Sequence, residues 1–349
     1  MKTRHSSSHA VAVASGIVRH RTGIVIPVYL PEHIDTRYGE TLLRETVGTY
    51  CEQVADPATI CLSVDGEPFG SSVARRLAED FGTLICVAAV NRGKLQAVAE
   101  GVRTLSQNAD LAYVAVVDQD GDHFANELLN FVRAARHVAD HLGDDRILVL
   151  GRRISRHRPM GFLRGELEEF ADRILLDALF YRAAIAARPL RLEYAFALEE
   201  FPDFHSGYKL FSRSTAERVF LSEPQFEGVS EACYYRHACE AVMVVEALEH
   251  GAYLGVVNRS TLNEQPVSTF GLFDLSQLVA DKIIWPCKRL HVPVSFVKQW
   301  MANHTPRLLL HTLAPQGKEQ LARIRQLVIA ALGGEKDTDA RPILHPLFV

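Results

Sequence analysis

Between residues 22 and 151 the chain repeats one rhythm, and that rhythm limits its fold more than any other feature. Short β-rich runs alternate with stretches of helical periodicity: GIVIPVYL, then a helix over about 39–54; TICLSV, then SSVARRLAEDF; TLICVAAV, then KLQAVAEGVRTL; YVAVVD, then NELLNFVRAARHVADHL; and finally RILVLG. Strands that read as nearly unbroken apolar runs must be covered on both faces, and crossover helices supply that cover. The pattern therefore predicts an α/β fold, a Rossmann-like, mostly parallel sheet with helices on both faces. Ligands of such sheets bind beyond the carboxyl ends of the strands. Four polar clusters fall there: YLPE (29–32), VDGE (64–67), NRGK (91–94) and DQDGDH (118–123).

The last cluster raises an electrostatic question. Asp118, Asp120 and Asp122 sit at alternate positions directly after the apolar run LAYVAVV. Two like charges about 4 Å apart repel by on the order of 4 kcal/mol at an effective dielectric of roughly 20. A divalent ion would relieve that repulsion, and hard oxygen ligands on a turn past a strand suit Mg2+ or Mn2+ shared with substrate phosphates. The plain alternative is a solvated acidic turn that caps the helix starting near Phe124. An EF-hand loop starting at Asp118 would need Gly and Glu where the sequence has His123 and Leu129, so that reading fails. A phosphatase using DxD after a strand is a distant option, because three strand-helix units precede this one.

The other clusters supply partners for an anionic ligand. Asp65 can accept from a nucleobase or ribose, or merely hold the DGEP turn. Lys94 and the amides opening its helix can meet a phosphate, and Arg152 and Arg153 follow RILVLG where a diphosphate can sit. Each of these also has a bland reading as a turn residue or an exposed charge. Lys+Arg 38 against Asp+Glu 42 leaves a net charge of -4, which gives no broad electrostatic reason for nucleic-acid binding.

After Gly151 the rhythm changes to a long helical stretch (about 162–188), a loop around RLEYAFALEEFPDF, then HSGYKLFSR. A helix across YYRHACEAVMVVEALEHG leads into a strand AYLGVVN, and the chain beyond about 272 is mainly helical. The expected organisation is a flexible N-terminal tail (1–20), one α/β domain (21–271) and a helical C-terminal extension (272–349). MKTRHSSSHAVAVASGIV has a signal-like look, but its apolar stretch is short and interrupted. No uncharged run reaches the roughly 18–20 residues a membrane helix needs. RILLDALFYRAAIAARPL carries Asp177 and three arginines and reads as an amphipathic helix. The six cysteines form no CxxC pair and favour a reducing cytoplasm, with a peripheral membrane contact and a homodimer left open.

The order of these motifs resembles the family 2 glycosyltransferases of GT-A fold, in the dolichyl-phosphate mannose and glucose synthase branch. IVIPVYLPE resembles that group's IPVYNEE, TICLSVDGE its hhhVDDGS, and NRGKLQAVAEG its NxGKGxAxxxG. VVDQDGDHFANEL resembles DADxQHPPEx, GRR the later GSR, and DFHSGYKLFSR the DxxCGFKLFRR segment. CEAVMVVEALEHGAYLGVV resembles FExExxxxAxxxGYxIxEVP, placing Glu240 on its first Glu. The likeness spans about residues 22–271.

The resemblance implies transfer of a hexose from a UDP- or GDP-hexose, with inversion at the anomeric carbon, to a small-molecule, glycan or lipid-phosphate acceptor. It places Pro27, Tyr29, Glu32 and Asp65 at the nucleotide and Lys94 near its phosphates or ribose. Asp118 and Asp120 would hold the donor and its Mg2+ or Mn2+, with Asp122 as a third metal contact where the family has Gln, and Arg153 would meet phosphate charge. A hydroxyl acceptor would need a base, for which Asp203 and Glu240 are the candidates; a phosphate acceptor would need none. Leu30, Pro31 and Gly66 depart from the family pattern, and NRSTLNEQPVSTFG lacks its Arg-x-x-Gly-x-Ser-Lys clamp. The rival class is a sugar-phosphate nucleotidyltransferase, which would normally carry an early Gly-rich phosphate loop that YLPEHID lacks.

Overall fold

The computed structural model describes residues 2–31, 35–67, 70–195, 202–261 and 274–334. By contacts the chain divides into two compact units, one made of Met1–Ser155, Arg191–Pro224 and Glu246–Val267, the other of Arg156–Leu190, Gln225–Val245 and Ser268–Val349.

The first unit is built on a mixed, mostly parallel sheet of seven strands in the order β3-β2-β1-β4-β6-β5-β7. The strands are β1 (Thr22–Val28), β2 (Ile60–Val64), β3 (Leu84–Val87), β4 (Tyr113–Val116), β5 (Ile147–Arg153), β6 (Lys209–Ser212) and β7 (Tyr253–Arg259). Every residue of β2, β4 and β5 is buried, as expected for strands covered on both faces. The helices α2 (Thr36–Cys51), α3 (Ser71–Phe81), α4 (Lys94–Leu105) and α5 (Leu128–Leu142) follow β1 to β4 in turn. Glycines stop two of them: Gly82 after α3 and Gly143 after α5 adopt φ of 75° and 65°, each returning its N–H to the carbonyl four residues back.

The sheet is mostly parallel, as the sequence predicts, with one strand reversed. β6 runs antiparallel to both neighbours, pairing Val116 with Lys209 and Val149 with Leu210. The segment expected as a loose tail is instead a helix, α1 (Lys2–Arg21), whose Ala14, Ile17 and Val18 join the sheet's core and which packs along α5. Their i, i+3, i+4 spacing makes one apolar stripe, and burying Ile17 and Val18 contributes about 1.5–3 kcal/mol each. The Thr22 hydroxyl donates to the Ile17 carbonyl at 3.0 Å, tying the end of the helix to β1.

The second unit is helical and draws on three stretches of chain. It contains α6 (His157–Met160), α7 (Phe162–Ile185), a π-helical turn at Cys233–His237, α10 (Leu275–Arg289), α11 (Val294–His304), α12 (Leu310–Leu313) and α13 (Gly317–Ala331). The boundary between the units falls inside α9 (Cys239–Glu249), and α8 (Arg213–Leu221) belongs to the sheet unit. The mainly helical C-terminal region is thus part of a larger helical assembly that also takes in residues 156–190 and 225–245. Its core carries charges that are paired: Asp172 accepts from Arg156 at 2.7 Å, and Glu168 lies 3.3 Å from the Lys282 ammonium. Trp285, fully buried, donates its indole N–H to the Gln225 carbonyl at 2.8 Å. Among the described residues no helix is long and apolar enough to cross a membrane, and all six cysteines are free thiols.

Candidate active site

The strand order reverses beside β1. From β1 the chain steps outward through β2 and β3, then returns to place β4 on the other side of β1, so the first reversal lies between β1 and β4. Their ladder ends at Val25↔Val116, with one further bond from the Val117 amide to the Val25 carbonyl at 3.1 Å. Two residues on, Pro27 has no N–H with which to extend a ladder. Beyond that point the polar ends of the two strands are joined by a side chain instead. Gln119 accepts from the Tyr29 amide at 3.0 Å and donates to the Tyr29 carbonyl at 2.6 Å, and its own carbonyl accepts from the Thr46 hydroxyl at 3.2 Å. The nucleotide residues expected from sequence, Pro27 and Tyr29, and the aspartate turn are therefore brought to one place. Gln119 was not foreseen, because between two aspartates it looks like a spacer.

The three aspartates have three different environments. Asp118 lies 2.5 Å from the Lys94 ammonium, which opens α4. Burial alone would raise its carboxyl, but Lys94, supported by Arg259 and Lys209, overrides this and holds it below its usual range. Asp122 is turned away into a buried ion pair, its Oδ2 3.1 Å from Arg259 Nη2, while Arg259 Nη1 donates to the Asp122 carbonyl at 3.0 Å. Asp120 faces both neighbours. Burial, then the charges of Asp118 and Asp122, push its carboxyl up to about 7.

His123 completes the turn. Its Nδ1 accepts from the Asp118 amide at 2.9 Å, so the proton of the neutral ring sits on Nε2, 3.6 Å from Asp118 Oδ2. The ring stacks on Tyr208, which stacks in turn on Phe131, with centroid separations of 4.8 and 4.2 Å. Gly207 lies against the same carboxylate: a Cβ there would overlap Asp118 Oδ2 and come within 3.1 Å of His123 Cε1. Gly207→Ala is therefore expected to force the Asp118 carboxylate or the backbone aside and to lower the melting temperature; wild-type melting would contradict this packing role for the glycine.

Around this centre, Asp65 Oδ1 accepts from the Arg92 and Gly93 amides at 3.0 and 3.1 Å, shaping the NRGK loop that delivers Lys94. Gly66, at φ 89°, is fixed by contact: a Cβ would fall 2.6 Å from the Asn91 nitrogen. Arg153 and Asp203, expected as a phosphate contact and a base, are brought together. Arg153 Nε and Nη2 donate to the two oxygens of Asp203 at 2.7 and 2.6 Å, and the Arg153 amide donates to the same carboxylate at 3.1 Å. Arg152 Nε donates to Asn258 at 2.9 Å. Lys209 is fully buried and donates to the Ser206 carbonyl. Glu240 belongs to the helical unit, near the start of α9, with 8 % exposure. Glu32 lies outside the described residues.

Among the described residues, Asp118, Asp120 and Asp122 do not converge as a ready-made set of three ligands. What fits a cation is the Asp118–Asp120 pair, in which Asp120 is the group penalised for carrying charge. Mg2+ is commonly bound by one or two carboxylates together with substrate phosphates, so two protein carboxylates are a chemically sufficient set. Asp122, expected as a third ligand, has its side chain committed to Arg259.

No family model and no curated protein matches the sequence. Among solved structures, the chain is similar to glucosyl-3-phosphoglycerate synthase from Mycobacterium tuberculosis in complex with Mg2+ and uridine diphosphate, at 14% identity over 81% of this chain and 84% of that one, with a TM-score of 0.48. The same enzyme in complex with phosphoglyceric acid is similar at 14% identity over 81% of this chain and 85% of that one, again with a TM-score of 0.48. TarS from S. aureus is similar at 12% identity over 90% and 92% of the two chains, with a TM-score of 0.41.

Proposed function

We propose that this chain is a metal-dependent glycosyltransferase of the family 2 type and GT-A fold, moving a hexose from a UDP- or GDP-hexose to an acceptor with inversion. The observation that carries the reading is the placement of the Asp118–Asp120 pair at the switch between β1 and β4, tied by Gln119 to Tyr29 and neighboured by Lys94. It is supported by the ordered motif resemblance across residues 22–271.

Asp118 and Asp120 would hold Mg2+ or Mn2+, which when bound would neutralise the departing diphosphate. The chain's own residues supply the rest. Tyr29 and Asp65 flank the nucleotide, Asp65 chiefly by fixing the loop that presents Lys94. Arg153 brings positive charge to the phosphates while Asp203 fixes its guanidinium. An arginine held at both ends of its fork cannot swing away, so its charge is preorganised rather than recruited. The same bonds make Asp203 a poor base, since both oxygens already accept from Arg153. Glu240, the other candidate, belongs to the helical unit, and a phosphate acceptor would arrive already ionised and need no base.

The direct test is incubation with a panel of UDP- and GDP-hexoses with and without Mg2+ or Mn2+. The expected result is metal-dependent donor hydrolysis or transfer with at least one of them. Consumption of sugar phosphate plus nucleoside triphosphate, with no turnover of any nucleotide sugar, would replace this reading with the nucleotidyltransferase.

A further inference from the structure

The helical unit contains a cluster that the donor chemistry does not use. His157 on α6 and Glu166 and Glu169 on α7 each offer one ligand atom, and all three atoms lie within 4.8 Å of one another. We propose that these residues form a second metal site, for a divalent transition cation of the Zn2+ type, that clips α6 to α7.

The local geometry is built for convergence. Glu166 and Glu169 stand three residues apart and so share one face of α7. Gly161, at φ 77°, ends α6 and turns the chain directly into α7, folding His157 back over the first turn of the longer helix. Gly165 makes room for the ring: a Cβ there would lie 2.9 Å from His157 Cδ2. His157 Nε2 is 3.2 Å from Glu166 Oε1, and the other oxygen of Glu166 accepts from the Leu309 amide at 2.7 Å. That second bond orients the carboxylate, as outer partners commonly orient metal ligands.

The ligand set selects the ion. One imidazole nitrogen with two carboxylates suits Zn2+ better than Mg2+, which prefers oxygen alone. Ligand bonds of about 2.0–2.2 Å require the three atoms to draw inward slightly. The His157 side chain is 43% exposed, so an ion has a path in and a fourth position is left for water. Among the described residues Glu169 pairs with Arg173 at 2.6 Å, a partly exposed i,i+4 ion pair of the kind that contributes little.

The test uses the full chain and Zn2+ as the probe, in Asp120→Asn alone and with His157→Ala or Glu169→Gln added. Titration calorimetry should find one Zn2+ site in Asp120→Asn, and about 100-fold weaker binding when His157→Ala or Glu169→Gln is added to that variant. Zn2+ should raise the melting temperature of Asp120→Asn but not that of the double variant Asp120→Asn/His157→Ala. Co2+ in place of Zn2+ should give visible bands without thiolate charge-transfer absorption. Equal Zn2+ affinity in Asp120→Asn and Asp120→Asn/Glu169→Gln, or a thiolate band, would overturn the proposal.

Discussion

Asp120→Asn should make the metal-free protein more stable at pH 8 while abolishing its response to Mg2+ and nucleotide. The Asp120 carboxyl is pushed up to about 7, from an ordinary value near 3.8, so the fold disfavours its charged form. The unfolded chain therefore loses this proton at lower pH than the folded one. The resulting cost to stability is absent below about pH 4, grows as pH rises through the folded pKa, and is complete above it. The shift sets a ceiling of about 4 kcal/mol, and solvent reaching this partly buried carboxyl reduces it to about 1–2 kcal/mol. Asparagine copies the neutral form, so the variant should gain that amount at pH 8 and nothing at pH 4. Chemical denaturation at the two pH values reads the difference. A variant less stable than wild type at pH 8 without metal would refute the account of Asp120.

Asp203→Asn should have the opposite sign and a larger size. Arg153 and Asp203 have side-chain exposures of 3% and 0%, and the amide removes the negative charge that Arg153 holds at Nε and Nη2. Breaking one partner of a buried pair typically costs about 3–5 kcal/mol, which for a chain of this size is a fall in melting temperature of roughly 5 °C. Replacing both residues by apolar ones of similar volume should recover much of that loss, because no uncompensated charge remains. A variant that melts like wild type but has lost turnover would instead point to Asp203 as the base. The two roles are thus separated by one melting curve.

These residues also show what a sequence can and cannot disclose. The sheet unit was readable because its buried strands are apolar throughout and its helices carry clear 3.6-residue stripes, as in TICLSV and SSVARRLAEDF. Asp118 and Lys94 were visible as chemistry because each sits at a strand end or a helix start, where side chains project toward a ligand. The Asp122–Arg259 pair was not: it joins residues 137 positions apart, and only the packing of β7 beside β5 brings them together. Arg153 and Asp203 were each visible as a charge, yet nothing local says that they meet. The sequence predicts a mostly parallel sheet, but KLFS is too short to announce that β6 is the strand that runs the other way. α1 was hidden by its composition, since SSSH at its start reads as a polar tail while the burial of Ala14, Ile17 and Val18 depends on α5.

The central claim is that Asp118 and Asp120 form a nucleotide-diphosphate site completed by a divalent ion. Titration calorimetry of UDP and GDP into wild type and Asp120→Asn, each with and without Mg2+, tests it most directly. The account predicts measurable binding of at least one nucleotide to wild type with Mg2+, weakened at least about 100-fold, or roughly 2.7 kcal/mol, both by leaving out Mg2+ and by the substitution. Binding of equal strength in all four combinations would contradict it.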